Sequence, residues 1–258
     1  MPPVVQLDGI YFTLVERTRQ VKRDRRQRLR RRLRHRQCVA LVAVGFWPDG
    51  RREILGWALA TEEGSAEWQD FLLSLQHRGL TPANGLLLAC GDGGLGLQEA
   101  LQFVYYGQLP FQLCIFHKIQ RITHRDYLRD RDNRGAISRD AGYVLAATEE
   151  REVYARLKAF RQKWEPLEPA SVRCFLRNFS RCLTYLHVDG LDAVQFARTT
   201  SHIERTMREL RRKLSQVGTL MTDAGAKATL TLLCAHLNAR WNDRPWLLSL
   251  TKAALEVV

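Results

Sequence analysis

The sequence predicts an α/β fold: a mixed sheet flanked by helices, with an all-helical segment inserted before the last helices. Segments rich in β-branched and aromatic residues alternate with amphipathic segments through the first 116 residues. From about residue 117 to 194 the pattern is mostly helical, with charged stretches. With 45% hydrophobic residues in 258, the chain has enough apolar material for one sizeable core.

The first three strands are predicted to form a meander. Residues 4–15 (VVQLDGIYFTLV) and 37–47 (QCVALVAVGFW) have the composition of buried strands. Asp49-Gly50, after Pro48, is a strong hairpin turn, and residues 53–61 (EILGWALAT) then form the third strand.

A helix, a strand, a second helix and a short strand are predicted to follow, at residues 65–78, 85–90, 96–106 and 111–115. The first of these helices has Trp68, Phe71, Leu72 and Leu75 at helical spacing and ends at Gly79. Three antiparallel strands followed by these four elements give the order of a ribonuclease-H-like sheet, although other α/β folds share that order.

The predicted organisation has three parts. Residues 1–116 form the first part of the ribonuclease-H-like core, residues 117–196 are a helical insertion, and residues 197–258 complete the core. The last part contains two predicted helices, at about 201–217 and 223–241.

The charge of the chain favours a polyanionic partner. A net charge of +13 and a pI near 9.9 suit a nucleic acid or an anionic membrane surface. The apolar stretches are too short to cross a bilayer, and the first residues lack the plan of a signal peptide, so we expect a cytosolic protein. The six cysteines have no paired spacing, which argues against a disulfide framework.

Residues 16–37 are dense in arginine and lysine and are opposed only by Glu16 and Asp24. Such a block between two strands is expected to project as a basic arm that is helical in part. The arm could lie along a phosphate backbone through many non-specific contacts. Its candidate DNA-binding residues are Arg30, Arg31 and Arg32. A mobile, solvated loop is the alternative, because charge runs are usually that.

Three acids are candidate ligands for a divalent cation. Asp8 lies inside an apolar strand, where an ionised carboxylate needs a partner, and Asp92 follows a strand between glycines at the expected carboxyl edge of the sheet. Glu204 begins a late helix. Each also has a simpler interpretation: Asp8 and Asp92 as turn residues, and Glu204 as part of the capping box Ser201-His202-Ile203-Glu204.

The helix that contains Glu204 has two stripes. Its apolar positions recur every three or four residues and are expected to be buried: Ile203, Met207, Leu210, Leu214 and Val217. The adjacent stripe is polar: Glu204, Arg208, Arg211 and Ser215. Arg208 and Arg211 are therefore candidates for binding DNA phosphates near a metal-bound Glu204, and an ordinary Glu-to-Arg pair on a solvated face is the alternative.

Around these acids the sequence resembles the Mutator-like family of bacterial insertion-sequence transposases, of the DDE class. The matching segments are LDGIYF (residues 7–12), residues 40–80, CGDGGLGLQEAL (90–101), QLCIFHKIQRI (112–122) and ARTTSHIERTMRELRRKLSQVG (197–218). They cover most of the chain in the family's order.

The resemblance implies a chemistry and a set of site residues. Asp8, Asp92 and Glu204 fall on the family's metal-binding triad, which uses two Mg²⁺ ions, with Mn²⁺ as a substitute. Cys114 and His117 fall on its C-x-x-H signature and would support the active site, while a structural zinc site is the competing interpretation. Arg211 falls on the family's basic position after the glutamate.

The function that the resemblance implies is cleavage of DNA and transfer of DNA strands during transposition of an insertion sequence. The expected partners are the transposon ends and target DNA, with a homo-oligomer in the DNA complex, in a prokaryotic cytoplasm at the nucleoid. Family members usually have an N-terminal DNA-binding region before the first catalytic strand, whereas Asp8 is the eighth residue here. The alternatives are a non-catalytic DNA-binding remnant and a ribonuclease-H-like nuclease with another substrate.

Overall fold

The computed structural model describes residues 1–190, 201–216 and 222–243, with side chains for all of these except 201–204, 215, 216, 242 and 243. Its centre is a five-stranded sheet in the order β3-β2-β1-β4-β5. The strands are β1 (Val4–Arg23), β2 (Leu29–Phe46), β3 (Arg52–Ala60), β4 (Leu88–Gly91) and β5 (Phe111–Leu113). The first three are antiparallel, and β4 and β5 run parallel to β1. This topology confirms the predicted ribonuclease-H-like α/β fold.

Helices cover both faces of the sheet. In chain order they are α1 (Ser65–His77), α2 (Leu95–Val104), α3 (Ile115–Ile122), α4 (Arg134–Leu145), α5 (Glu150–Trp164), α6 (Pro169–Leu176), α7 (Ser201–Gln216) and α8 (Asp223–Asp243). None of the described helices is both long enough and apolar enough to span a bilayer.

One face of the sheet packs against α1 and α2. The predicted stripe of α1 is buried there, and Trp68 and Leu75 contact the same cluster as Leu7 and Leu41 of the sheet. The helix ends where predicted, since the N–H of Gly79 (φ 94°) donates to the carbonyl of Gln76, at 2.8 Å.

The other face shares a core with the rest of the chain. Ile10 and Val42 of the sheet belong to one buried cluster with residues of α4 to α8, among them Trp164, Phe175 and Leu210. The helical segment after β5 is therefore packed against the sheet. Its predicted residues 191–196 lie outside the described residues.

The basic arm is a two-stranded β-ribbon. The antiparallel pairing of β1 and β2 continues from Val4–Phe46 to Arg23–Leu29, with an irregularity between Arg17 and Val21. Asp24 closes the tip, where its carboxylate accepts from the N–H groups of Arg26 and Arg28 at 2.9 and 3.0 Å. The prediction of a partly helical arm was wrong, because backbone hydrogen bonds that start in the buried hairpin continue through the charged residues.

Candidate functional site

Asp8 and Asp92 lie side by side at the carboxyl edge of the sheet, where β4 ends. Strands β1 and β4 pair in parallel with Val4 opposite Leu88 and Gln6 opposite Cys90. The same register continued by two residues brings Asp8 level with Asp92, where neighbouring strands are about 5 Å apart. The buried strand residues on either side thus fix the two carboxylates at the end of the sheet.

The two carboxylates are oriented by their own loops. The N–H of Gly9 donates to Oδ1 of Asp8 at 2.9 Å, and the N–H of Gly94 donates to Oδ1 of Asp92 at 2.9 Å. Asp8 is partly buried and Asp92 is exposed. The GDGG sequence therefore forms a loop, which was one interpretation of Asp92. The same loop also orients the Asp92 carboxylate at the carboxyl edge of the sheet.

Burial raises the pKa of Asp8 to about 6. The positive charge of His117 and the hydrogen bond from Gly9 oppose this shift, the charge of Asp92 adds to it, and that of Arg211 opposes it. These effects identify the neighbours of Asp8: a second carboxylate and two cationic side chains from distant parts of the sequence.

A further carboxylate, Glu63, lies in the same place and was missed by the sequence analysis. It contacts Gly9 so closely that a methyl group at Gly9 would overlap the Glu63 carboxylate. Glu63 also forms a side-chain hydrogen bond with Tyr11, and burial, followed by the charges of Asp92 and Asp8, raises the pKa of Glu63 to about 7. The strand directions could have indicated it. Because β1 and β3 both pair antiparallel with β2, they run in the same direction, and Glu63 follows the end of β3 at the edge where Asp8 lies.

Cys114 and His117 are linked through the start of α3. Cys114 is buried at the N-cap of this helix, and its Sγ accepts from the N–H of His117 at 3.5 Å. One helical turn then brings His117 close to Asp8 and Glu63, whose pKa values it lowers. The C-x-x-H spacing is thus that of a capped first turn.

The structure gives no support to a zinc site among the residues that it describes, where no group of three or more His, Cys, Asp and Glu is arranged to hold a metal. The third predicted acid, Glu204, is in α7, and its side chain lies outside the described ones.

Helix α7 packs beside β1 as its two stripes predict. Met207, Leu210 and Leu214 are buried, while the side chains of Ile203 and Ser215, and Val217 altogether, lie outside the described part of the chain. Arg208 and Arg211 are exposed, and Arg211 is near enough to lower the pKa of Asp8. Residue 204 precedes Arg211 by seven positions, about two turns on the same face of the helix.

The three candidate arginines of the ribbon are exposed but do not share a face. Side chains alternate along a strand, so Arg30 and Arg32 lie on one face and Arg31 on the other. Lys22 is opposite Arg30, and the exposed Val21 is opposite Arg31. The first face is the more cationic, although Asp24 pairs with Arg30 at 2.9 Å.

Most of the chain matches the model of one protein family. The model described as "Transposase, Mutator family" matches residues 21–244. The transposase for insertion sequence element IS406 of Burkholderia multivorans is 28% identical over 207 residues, which are 79% of this chain and 51% of that protein.

Two further relatives give the same result. The transposase for insertion sequence element ISRM3 of Rhizobium meliloti is 27% identical over 85% of this chain and 54% of that protein. A probable insertion-sequence transposase of Corynebacterium diphtheriae is 29% identical over 76% and 55%. The chain spans about half the length of these curated relatives.

Among solved structures, the Mos1 transposase paired-end complex with left transposon end matches 68% of this chain and 55% of that chain. The identity is 12% and the TM-score is 0.24, values too low to say anything about the site.

Proposed function

Because the chain belongs to the Mutator family of transposases, we propose that it is the catalytic core of an insertion-sequence transposase of the DDE type. The observation that carries the proposal is the parallel pairing of β1 with β4, which ends two residues before Asp8 and Asp92 and brings them level, with His117 and Arg211 close to Asp8. The reaction is hydrolysis of a DNA phosphodiester, followed by attack of the freed 3′-hydroxyl on another strand. The complex with DNA is a homo-oligomer at the nucleoid.

Asp8, Asp92 and Glu204 are proposed to hold two Mg²⁺ ions, which Mn²⁺ can replace. The donor set suits these ions, because carboxylate oxygens are hard ligands. The environment of Asp8 suits them as well, since burial penalises its ionised form and a cation beside it would offset that penalty. When bound, the ions would stabilise the charges on the attacking and leaving oxygens.

The protein's own side chains have orienting roles in this proposal. Arg208 and Arg211, exposed on α7, bind phosphates next to the scissile one through charged hydrogen bonds. Glu63 is a positioning residue: its contact with Gly9 and its hydrogen bond with Tyr11 fix the segment of β1 that contains Asp8.

The test of the proposal uses Glu204→Gln, with Glu209→Gln in the same helix as its control. If Glu204 only caps α7, the substitution should be nearly silent, because glutamine also serves in a capping box and the stability loss should stay within about 1 kcal/mol. If Glu204 binds metal, Mg²⁺-dependent nicking of DNA should fall by orders of magnitude while DNA binding and the thermal melt stay close to wild type.

The outcomes separate enzyme from remnant. Equal nicking by wild type, Glu204→Gln and Glu209→Gln would remove Glu204 from the site. Nicking by none of them, with DNA binding intact and any missing N-terminal region supplied in trans, would favour a non-catalytic DNA-binding remnant.

A further inference from the structure

A cleft of about 1110 Å³ opens beside the proposed catalytic edge. It begins at Asp92 and His117 and continues along the end of α3 and the connection to α4. A groove that starts at a candidate scissile position is where the rest of a substrate strand has to lie.

Cationic side chains dominate the walls of the cleft. Five exposed arginines line it: Arg121, Arg125, Arg129, Arg131 and Arg134. Among the residues that the structure describes, Asp126 is the one acid that lines the cleft besides Asp92, and it lies within 3.8 Å of Arg125 and 3.3 Å of His124. Tyr127, half-buried among these residues, adds an aromatic ring. The surface is therefore strongly positive over a length that several phosphates could occupy.

The backbone beneath these arginines is held by a buried carboxylate. Glu168 is fully buried and accepts hydrogen bonds from the N–H groups of Arg129 and Asp130, at 2.6 and 3.0 Å, and from Nδ2 of Asn133, at 2.9 Å. The buried hydroxyl of Ser171 likewise donates to the carbonyl of Ile122, at 2.8 Å. These contacts leave the arginine side chains in solvent on a fixed base, as a phosphate-binding surface requires.

We propose that this cleft binds the sugar-phosphate backbone of the DNA strand that continues from the cleavage position at Asp92. The inference rests on the proposed function and adds a second DNA surface, which begins after β4 and is formed by residues other than those of the β1–β2 ribbon. Its contacts are to phosphates, so it contributes affinity and position but no sequence preference.

The first test measures DNA binding as a function of salt for Arg129→Ala/Arg131→Ala, with Arg151→Ala/Lys158→Ala on α5 as the control. Both pairs are exposed and remove two positive charges, and only the first lines the cleft. The first pair should weaken binding to a fluorescent duplex and flatten the salt dependence by up to about 0.9 per lost phosphate contact. The control pair should keep the wild-type slope, and thermal melts show whether each variant is folded.

The second test locates the DNA. All six cysteines are buried, so a photocrosslinker attached to Gln120→Cys, in the cleft, or to Ala159→Cys, on the exposed side of α5, labels one place. We expect crosslinks from position 120 to nucleotides on one side of the cleavage position, and few from position 159.

The results distinguish the inference from the proposed function. Wild-type binding in Arg129→Ala/Arg131→Ala, or equal crosslinking from positions 120 and 159, would overturn the cleft while leaving DNA binding by the ribbon in place. Absence of DNA binding by the unaltered chain would remove both.

Discussion

The β1–β2 hairpin has a base (residues 4–15 and 37–46) and a tip (residues 16–23 and 29–36). The same two strands form both, but the base is mostly buried and the tip is mostly exposed. At the base, Leu7 and Leu41 are fully buried between the sheet and the helices α1 and α2, and Asp8 lies level with the end of β4. At the tip, the same ladder continues with arginines in solvent, joined by few ion pairs. One continuous pairing thus serves both parts of the proposal: the base would hold a catalytic carboxylate, and the tip extends positive charge away from the core.

The largest expected difference is in activity. Asp8→Asn at the base should reduce Mg²⁺-dependent nicking by orders of magnitude even at saturating DNA, because it removes a charged oxygen ligand. Arg30→Ala/Arg32→Ala at the tip should keep the maximal rate once DNA saturates the protein. Nicking rates at rising DNA concentrations measure both, and a normal rate in Asp8→Asn would take Asp8 out of the site.

The next difference is in stability, between two leucines of one strand. Leu41 is 0% exposed and Leu33 is 53% exposed. Leu41→Ala should lower the free energy of unfolding by about 2–5 kcal/mol, whereas Leu33→Ala should change it by less than about 0.5 kcal/mol. Urea denaturation measures both, and similar losses would mean that the tip packs against something in solution.

The base should also respond to pH. In the metal-free protein Asp8 keeps its proton up to about pH 6, whereas in the unfolded chain an aspartate loses it near about pH 4. The folded state then binds more protons in this window, so stability should fall as pH rises through it and level off above. Melting temperatures in EDTA should show a smaller fall for Asp8→Asn than for wild type, and equal profiles would contradict the assigned burial cost.

The smallest expected effect concerns the two faces of the tip. Arg30→Ala/Arg32→Ala should weaken binding to unrelated DNAs alike and flatten the salt dependence by up to about 0.9 per lost contact. Arg23→Ala/Arg31→Ala removes the same charge from the other face and should do less. Equal effects would indicate diffuse attraction, and an unchanged salt slope in both would mean that the ribbon is solvated and does not contact DNA.

The sequence was sufficient for the parts of the molecule that have an apolar run or an apolar stripe. The strands at the base are runs of apolar, β-branched residues and α1 has an apolar stripe, and these elements formed where they were predicted, with β1 and β2 longer than expected. The tip has no apolar contrast to reveal a period, and arginine favours helices when considered residue by residue. Its structure is determined by the pairing of residues 16–23 with residues 29–34, which continues from the base, and no local pattern encodes that pairing.

The residues of the candidate site could be predicted where a sequence motif contains them. Asp8 and Asp92 were identified from their strand positions, and their common register follows from the sheet order. The predicted meander already implied that β3 ends near β1, but Glu63 was missed because its closeness to Gly9 depends on how β3 and β1 are aligned across β2. That alignment is a property of the assembled sheet, which a single segment does not contain.

The ribbon also has open backbone edges. Beyond the pairing of β1 with β4 and of β2 with β3, no described strand covers the outer edges of residues 16–23 and 29–36. Such edges readily pair with another chain, and dense positive charge is one of the ways in which proteins prevent it. The charge that is proposed to bind DNA would therefore also keep two copies of the ribbon from pairing edge to edge, and this protection would weaken wherever polyanions neutralise the charge.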